Sequence, residues 1–180
     1  MMEDDDPHDH AHRGGSDATG ELQRVPPARM FHAGRVPLEH GGWLDDARLS
    51  YQVWGTPAAA ADNVVLMPTY YTGRHGDNAR LVGAGRALDP ARWCIVIPDM
   101  LGNGLSSSPS NTGGAQHGAG FPHVSLRDNV YLQRRLLVEV LGVERVRLVL
   151  GWSMGGMQAY QWASSYPDAV RAVLCICGAA

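Results

Sequence analysis

Lysine is absent from the sequence, and all 15 basic residues are arginine. A Schiff-base enzyme needs a lysine amine and a standard P-loop NTPase needs a lysine on the phosphates, so both classes are excluded. The net charge of the chain is only −3. Bulk charge therefore does not favour nucleic acid as a partner. With 44% hydrophobic and 18% charged residues, the composition is that of a globular protein.

Long apolar runs are also missing. No stretch reaches the roughly 18 apolar residues of a transmembrane helix, and the acidic N-terminus has no signal-peptide core. We therefore expect a cytoplasmic protein without a membrane partner. Cysteine is scarce as well: Cys94, Cys175 and Cys177 each lie in an apolar run and have no metal or redox spacing. They are predicted to be small core residues in a reducing compartment.

The chain divides into two parts by composition. Residues 1–30 are polar and poor in aromatic side chains, which predicts a disordered tail. Its histidines at positions 8, 10 and 12 could bind a metal weakly but are interpreted as solvated, so no metal site is predicted. Residues 31–180 have the short apolar runs of a folded domain.

The pattern of these runs predicts an α/β fold. Two short runs around Gly41-Gly42 and Asp45-Asp46 are typical of a β-hairpin, and four continuous apolar runs are typical of buried parallel strands. Helical spacing over 126–141 places Ser125 as the N-cap and Gly142 as the end of a helix. We expect a mostly parallel sheet with helices on both faces. The predicted strands are 36–40, 48–55, 63–68, 92–99, 145–152 and 170–178, and the other predicted helices are 154–166 and, more weakly, 77–88.

The segment 101–123 has neither a strand pattern nor a helix pattern, because it is rich in Gly, Ser, Pro and Asn. It leaves the C-terminal end of a predicted parallel strand, which is the edge where α/β sheets bind ligands. Long segments without regular structure inside a compact domain are usually functional or disordered. We predict a pocket-forming loop and include Asn103 and His123 among its pocket residues.

The strongest chemical signal is Gly151-Trp152-Ser153-Met154-Gly155, which has the form G-x-S-x-G. It follows an apolar strand and opens a helix, as the nucleophile elbow of a serine enzyme requires. Such a turn holds the serine oxygen clear of the sheet, at the positive end of the helix. We therefore predict that Ser153 is a nucleophile and that Trp152 lies at the pocket.

An acyl-transfer serine needs two backbone N–H groups to hold the oxyanion of its tetrahedral intermediate. One is predicted to come from Met154, which directly follows the nucleophile. The other is expected from the loop after the strand 63–68. Tyr71 is the first candidate there, and Tyr70 is the alternative and a further pocket residue.

Three segments resemble the homoserine O-acetyltransferase family of α/β-hydrolase-fold proteins: PTYYTG at 68–73, FPHVSLRDNV at 121–130 and GWSMGGMQAYQWA at 151–163. The resemblance covers most of residues 31–180. It implies an α/β-hydrolase fold and a two-step reaction, in which the serine takes an acetyl group from acetyl-CoA and passes it to a hydroxyl acceptor, homoserine. The implied partners are a small acyl donor and acceptor, with acetyl-CoA as co-substrate and no bound cofactor.

Two departures from that family fall near the expected pocket. The run DMLGNGLSSSPSNT at 99–112 replaces the family's usual run, and Trp152 stands where a small residue is usual. The acceptor is therefore left open, and a serine esterase of the same fold fits as well.

In this fold the triad acid and histidine follow the serine along the chain. After Ser153 the sequence has one acid, Asp168, in a predicted turn, and no histidine. His75 and His123 lie in loops on the correct edge, but neither has the family's chain position for the base. We expect the front part of an acyl-transfer enzyme, truncated after the strand that follows the nucleophile helix. That strand would leave an exposed edge, open to aggregation or to a second copy as a homodimer partner. A non-catalytic binding module of the same fold is the other hypothesis.

Overall fold

The computed structural model describes residues 25–179. Most of the predicted tail, residues 1–24, lies outside this range. The first strand begins at Arg29, two residues before the predicted boundary at position 31.

Six strands within the described residues form one mixed sheet in the order β1-β2-β4-β3-β5-β6. The first two are antiparallel to their neighbours, and β4, β3, β5 and β6 are mutually parallel. The predicted mostly parallel α/β sheet is confirmed. The strands are β1 (Arg29–Pro37), β2 (Trp43–Trp54), β3 (Val64–Leu66), β4 (Cys94–Pro98), β5 (Leu148–Trp152) and β6 (Val173–Ile176).

The hairpin is longer than its sequence pattern suggested. Gly41 and Gly42 form the turn with φ values of 88° and 79°, which glycine adopts without a steric penalty. Asp45 and Asp46, predicted to lie between the strands, belong to β2. The Asp45 carboxylate pairs with Arg35 of β1 at 3.0 Å on the exposed face, which a strand with one solvated face tolerates.

Three α-helices follow the strands in the described residues: α1 (His75–Ala79), α2 (Leu126–Arg135) and α3 (Met154–Ser165). The Ser125 hydroxyl accepts the Asp128 backbone N–H at 3.1 Å, so the predicted N-cap is confirmed. A π-helical turn over Leu136–Val140 extends α2, and Gly142 follows it with φ 65°.

The predicted helix over 77–88 is wrong for most of its length. The helix α1 ends at Ala79, and an isolated bridge then joins Val82 to Leu88. Gly85, with φ 70°, turns the chain between them in a conformation that a helix cannot contain.

Apolar side chains cover both faces of the sheet. On one face Val64 and Leu66 pack in the cluster that includes Trp162 of α3 and residues of α2. On the other face Val65 and Met67 pack in the cluster that includes Val82. Because successive residues of a strand point to opposite faces, both faces of β3 are buried.

The cysteines differ in their environment. Cys94 is fully buried in β4, and burial raises its pKa to about 11, as predicted for a core thiol. Cys177 was expected in the last strand, but β6 ends at Ile176 and Cys177 follows it, exposed, with φ 53°. The last pair of the β5–β6 ladder is Trp152 with Ile176, so no strand partner holds Cys177 in an extended conformation.

Candidate active site

Ser153 occupies a strained turn between β5 and α3. Its φ and ψ are 47° and −121°, outside the regions that ordinary L-residues adopt. A Cβ on Gly151 would lie 2.1 Å from the Gly155 carbonyl oxygen, and a Cβ on Gly155 would lie 2.7 Å from the Pro68 oxygen. Both glycines are therefore required by close backbone approach. Strain of this kind costs about 1–3 kcal/mol and is typical of functional sites.

Ser153 is exposed and lines a cavity of about 430 Å³. Tyr70, Trp152 and Cys177 also line this cavity. The backbone N–H of Ser153 donates to the Ile176 carbonyl at 2.8 Å, so the last strand helps to fix the elbow. The hydroxyl stands at the N-terminal end of α3, where the helix dipole favours developing negative charge.

A second cavity of about 480 Å³ brings Met154 together with Tyr70, Tyr71 and Asn103. Within residues 25–179 the backbone N–H groups of Tyr70, Tyr71 and Met154 donate to no protein acceptor. Free amide donors beside a nucleophile are what an oxyanion hole requires. Both tyrosines line this cavity together with Met154. The Tyr71 side chain is 72% exposed, so its contribution would come from the backbone.

The loop with these tyrosines is held by a buried carboxylate that the sequence analysis did not single out. Asp99, at the end of β4, is fully buried and accepts the His75 backbone N–H at 2.8 Å. Its other oxygen lies 2.7 Å from His75 Nδ1 and accepts the Ser50 hydroxyl at 2.8 Å. The sequence pattern that could have identified Asp99 is a polar residue directly after a buried parallel strand.

A buried chain of amide side chains ties the nucleophile helix to the same loop. Gln158 of α3 donates to the Thr69 carbonyl at 2.9 Å and accepts from Gln133 of α2 at 2.6 Å. Gln133 in turn accepts the Trp162 indole N–H at 2.8 Å. All four residues are fully buried. Because α2 and α3 are separate in sequence, no local pattern indicated this contact.

His123 was predicted to be a pocket residue, but it lines neither cavity. It is exposed, and its ring lies edge-on to His40 of the hairpin turn, with 6.4 Å between the ring centroids. Its neighbours Phe121 and Val124 pack against the core cluster that contains α2, which carries this segment toward the start of that helix.

The loop 101–123 contributes only its first residues to the site. Leu101 and Asn103 line the cavity beside Met154. The buried serines at 106–108 instead fold back on β2, where the Ser107 hydroxyl accepts the Arg48 backbone N–H at 2.9 Å. The segment is therefore an ordered packing element that borders the pocket at one end.

No described side chain hydrogen-bonds to the Ser153 hydroxyl. His75, one of the upstream histidines, directs Nδ1 to Asp99 and lines neither cavity. Over residues 25–179, no three His, Cys, Asp or Glu side chains gather as metal ligands.

No helix in the same range is long and apolar enough to cross a membrane.

Comparison with known proteins finds esterases and homoserine O-acetyltransferases that are similar to this chain. The chain is 43% identical over 155 residues to an ethyl acetate hydrolase of Pseudomonas veronii, covering 86% of this chain and 44% of that protein. It is 36% identical over 163 residues to a homoserine O-acetyltransferase of Zymomonas mobilis, covering 82% and 43%. The solved acetyl esterase MekB is 42% identical, with a TM-score of 0.84 over 86% of this chain and 45% of that one.

The chain thus spans a little under half the length of the relatives that it matches. The predicted resemblance to the homoserine O-acetyltransferases is confirmed, and the ethyl acetate hydrolase is similar at a higher identity than the Zymomonas mobilis enzyme. A family model described as alpha/beta hydrolase fold matches residues 63–179, which include β3 to β6 and the elbow. The chain belongs to the alpha/beta hydrolase fold family.

Proposed function

We propose that the protein that carries this chain is a serine esterase of short acyl esters. The Ser153 oxygen attacks the ester carbonyl while a general base takes its proton, and the alcohol leaves with a proton. Water then attacks the acyl-enzyme, releases the acid and restores the serine. Because no described side chain hydrogen-bonds to the Ser153 hydroxyl, we propose that the base comes from a part of the protein outside residues 25–179.

One observation carries this proposal: an exposed serine in a strained elbow stands beside backbone N–H groups that have no protein acceptor. Met154 supplies one donor, and Tyr70 or Tyr71 supplies the other. A tetrahedral intermediate on Ser153 would place its oxyanion between them. Removal of one such donor in serine enzymes costs about 10²–10³ in kcat.

Water is favoured as acceptor over homoserine by the relatives. The ethyl acetate hydrolase at 43% identity and the acetyl esterase at 42% are both esterases by name. The homoserine O-acetyltransferase is 36% identical. Two departures from the transferase pattern border the site. Trp152 lines the cavity of Ser153, and the run 99–112 reaches the second cavity through Asn103. Acetyl transfer from acetyl-CoA to a hydroxyl acceptor, supported by the shared motifs, is the second candidate.

The test compares acyl acceptors in the whole protein. Hydrolysis of ethyl acetate and p-nitrophenyl acetate is measured beside acetyl-CoA consumption with and without homoserine. We expect ester hydrolysis, with no acceleration by homoserine. Consumption of acetyl-CoA that depends on homoserine would establish the transferase instead.

Site assignment uses a fluorophosphonate probe and two serine variants. Ser153→Ala should abolish both labelling and hydrolysis. Ser164→Ala, an exposed serine near the far end of the same helix, should change neither. If the probe does not label the unsubstituted protein and no ester is cleaved, the protein is a non-catalytic binding module of this fold and the proposal is wrong.

A further inference from the structure

The loop Tyr70–Arg74, here called the oxyanion loop, has a conformation that it cannot hold by itself. The Gly73 N–H donates to the Tyr70 carbonyl at 2.9 Å and closes a tight turn. Thr72 within that turn has φ 64°, which is rare for a β-branched residue. Such strained positions persist only when the surrounding structure fixes them. The contacts at the ends of this loop are therefore the ones that determine where its amides point.

Asp99 fixes the C-terminal end of the oxyanion loop. One carboxylate oxygen accepts the backbone N–H of His75, the residue that follows the loop, at 2.8 Å. The other lies 2.7 Å from the Nδ1 atom of the same histidine. Two contacts to one residue define both its position and its orientation. Since Asp99 is fully buried at the end of β4, the anchor belongs to the rigid sheet.

Asn103 reinforces this anchor from the other side. Its amide donates to the Gly73 carbonyl at 3.3 Å and lies 3.4 Å from the same Asp99 oxygen that accepts the His75 N–H. The carboxylate is therefore the point at which the histidine, the loop carbonyl and Asn103 meet. The His75 side chain that contacts the Asp99 carboxylate is only 20% exposed, so this contact is largely shielded from solvent.

We propose that Asp99 is a positioning residue that sets the oxyanion loop through His75, an inference that rests on the proposed esterase function. Catalytic triads also contain an Asp–His pair, but this pair would position the loop instead of acting as a base for Ser153. Neither residue lines the cavity of Ser153, and the histidine meets the loop through its own backbone. Donors in an oxyanion hole must be held within about 0.5 Å of the productive geometry. Loss of the anchor would therefore act on the transition state more than on substrate binding.

The decisive variants are Asp99→Ala, which removes both acceptors, and Asp99→Asn, which keeps one acceptor for the His75 N–H. In the whole protein we expect Asp99→Ala to lower kcat for p-nitrophenyl acetate by about 10²-fold, with KM unchanged. Asp99→Asn should restore a large part of kcat. Affinity for a trifluoromethyl ketone, whose adduct carries an oxyanion, should fall in parallel with kcat.

Asp128→Ala is the matched control. Asp128 is also buried and accepts a distant backbone N–H, that of Glu39 at 2.8 Å, but it anchors the hairpin turn to α2. We expect it to lower the melting temperature without lowering kcat. Equal losses of kcat in both alanine variants would overturn the inference, as would an unchanged kcat in Asp99→Ala. Should Asp99→Ala fail to fold, His75→Ala, which removes only the ring contact, should still lower kcat and ketone affinity.

Hydrogen exchange separates this inference from the proposed function. Asp99→Ala should speed exchange of the hydrogen-bonded Gly73, Arg74 and His75 amides whether or not the protein is an esterase, and Asp128→Ala should not. Unchanged exchange in the loop refutes the positioning role. Retained hydrolysis in Ser153→Ala refutes Ser153 as the esterase nucleophile, and the exchange result then tests the Asp99 anchor independently.

Discussion

Replacing Gln133 with methionine tests whether the buried amide chain holds α2 and α3 together. Gln133 accepts the Trp162 indole N–H and donates to the Gln158 side-chain oxygen. Methionine has a similar length and can do neither, so both partners lose a hydrogen bond in a site with no solvent exposure. Each buried polar group left unsatisfied costs about 1–3 kcal/mol.

The expected loss in the free energy of unfolding is therefore about 2–6 kcal/mol before any gain from the apolar side chain. Full burial of a methionine returns about 1.5–3 kcal/mol relative to an exposed one. A net loss of roughly 2 kcal/mol is a large fraction of the 5–15 kcal/mol that stabilises a typical domain. Urea denaturation followed by circular dichroism measures it.

A double-mutant cycle with Trp162→Phe isolates the contact. In the presence of Gln133, removal of the indole N–H leaves the glutamine oxygen without its donor. In the Gln133→Met background that N–H is already unsatisfied, so its removal should cost less. We expect a coupling of about 0.5–3 kcal/mol. Gln161→Met on the same helix, where the amide donates to Ser165 at 2.7 Å, should cost less than about 1 kcal/mol. Additive changes, or a loss below about 0.5 kcal/mol for Gln133→Met, would refute the reasoning.

Two further predictions concern the elbow and the cysteines. Gly151→Ala should abolish folding or lower the free energy of unfolding by more than about 3 kcal/mol, because the new Cβ would lie 2.1 Å from a carbonyl oxygen. Gly113→Ala is the control, since Gly113 has φ −97° and its new Cβ would have no atom within 4 Å. This variant should leave the melting temperature unchanged. At pH 8 Ellman's reagent should modify Cys177 in the folded protein and Cys94 only after denaturation. Since burial raises the Cys94 pKa to about 11, the contribution of this thiol to stability should be intact below pH 9 and be lost as the pH rises toward 11. Cys94→Val should remove this pH dependence of unfolding. A Cys94 thiol that reacts in the folded protein would contradict the prediction.

The sequence alone was enough for the parallel sheet and the elbow because both are encoded locally. Apolar runs of strand length identify β3 to β6, and the glycines around Ser153 identify the turn. Ser125 was also predictable as a cap, because its partner Asp128 lies three residues away. Where a structural role depends on neighbours in the chain, its residues can be read directly.

The support of the site could not be predicted in the same way. Asp99 meets His75 across 24 residues, and Gln158 meets Gln133 across 25, so neither pair leaves a local pattern. Cys177 was misplaced because the end of β6 is set by the register of its ladder with β5. Such contacts depend on the packed fold, which residue type and spacing do not specify.

The order of the strands has a consequence for how the protein folds during its synthesis. Once β4 leaves the ribosome, β1, β2, β3 and β4 already have their mutual partners, and later strands add at one edge only, first β5 beside β3 and then β6 beside β5. During synthesis a domain generally folds as a unit once its residues have emerged. The Ser153 N–H, however, donates to the carbonyl of Ile176 at the end of β6. The nucleophile would therefore gain its fixed geometry only after β6 has emerged, so a nascent chain that lacks this strand would not yet hold a formed elbow.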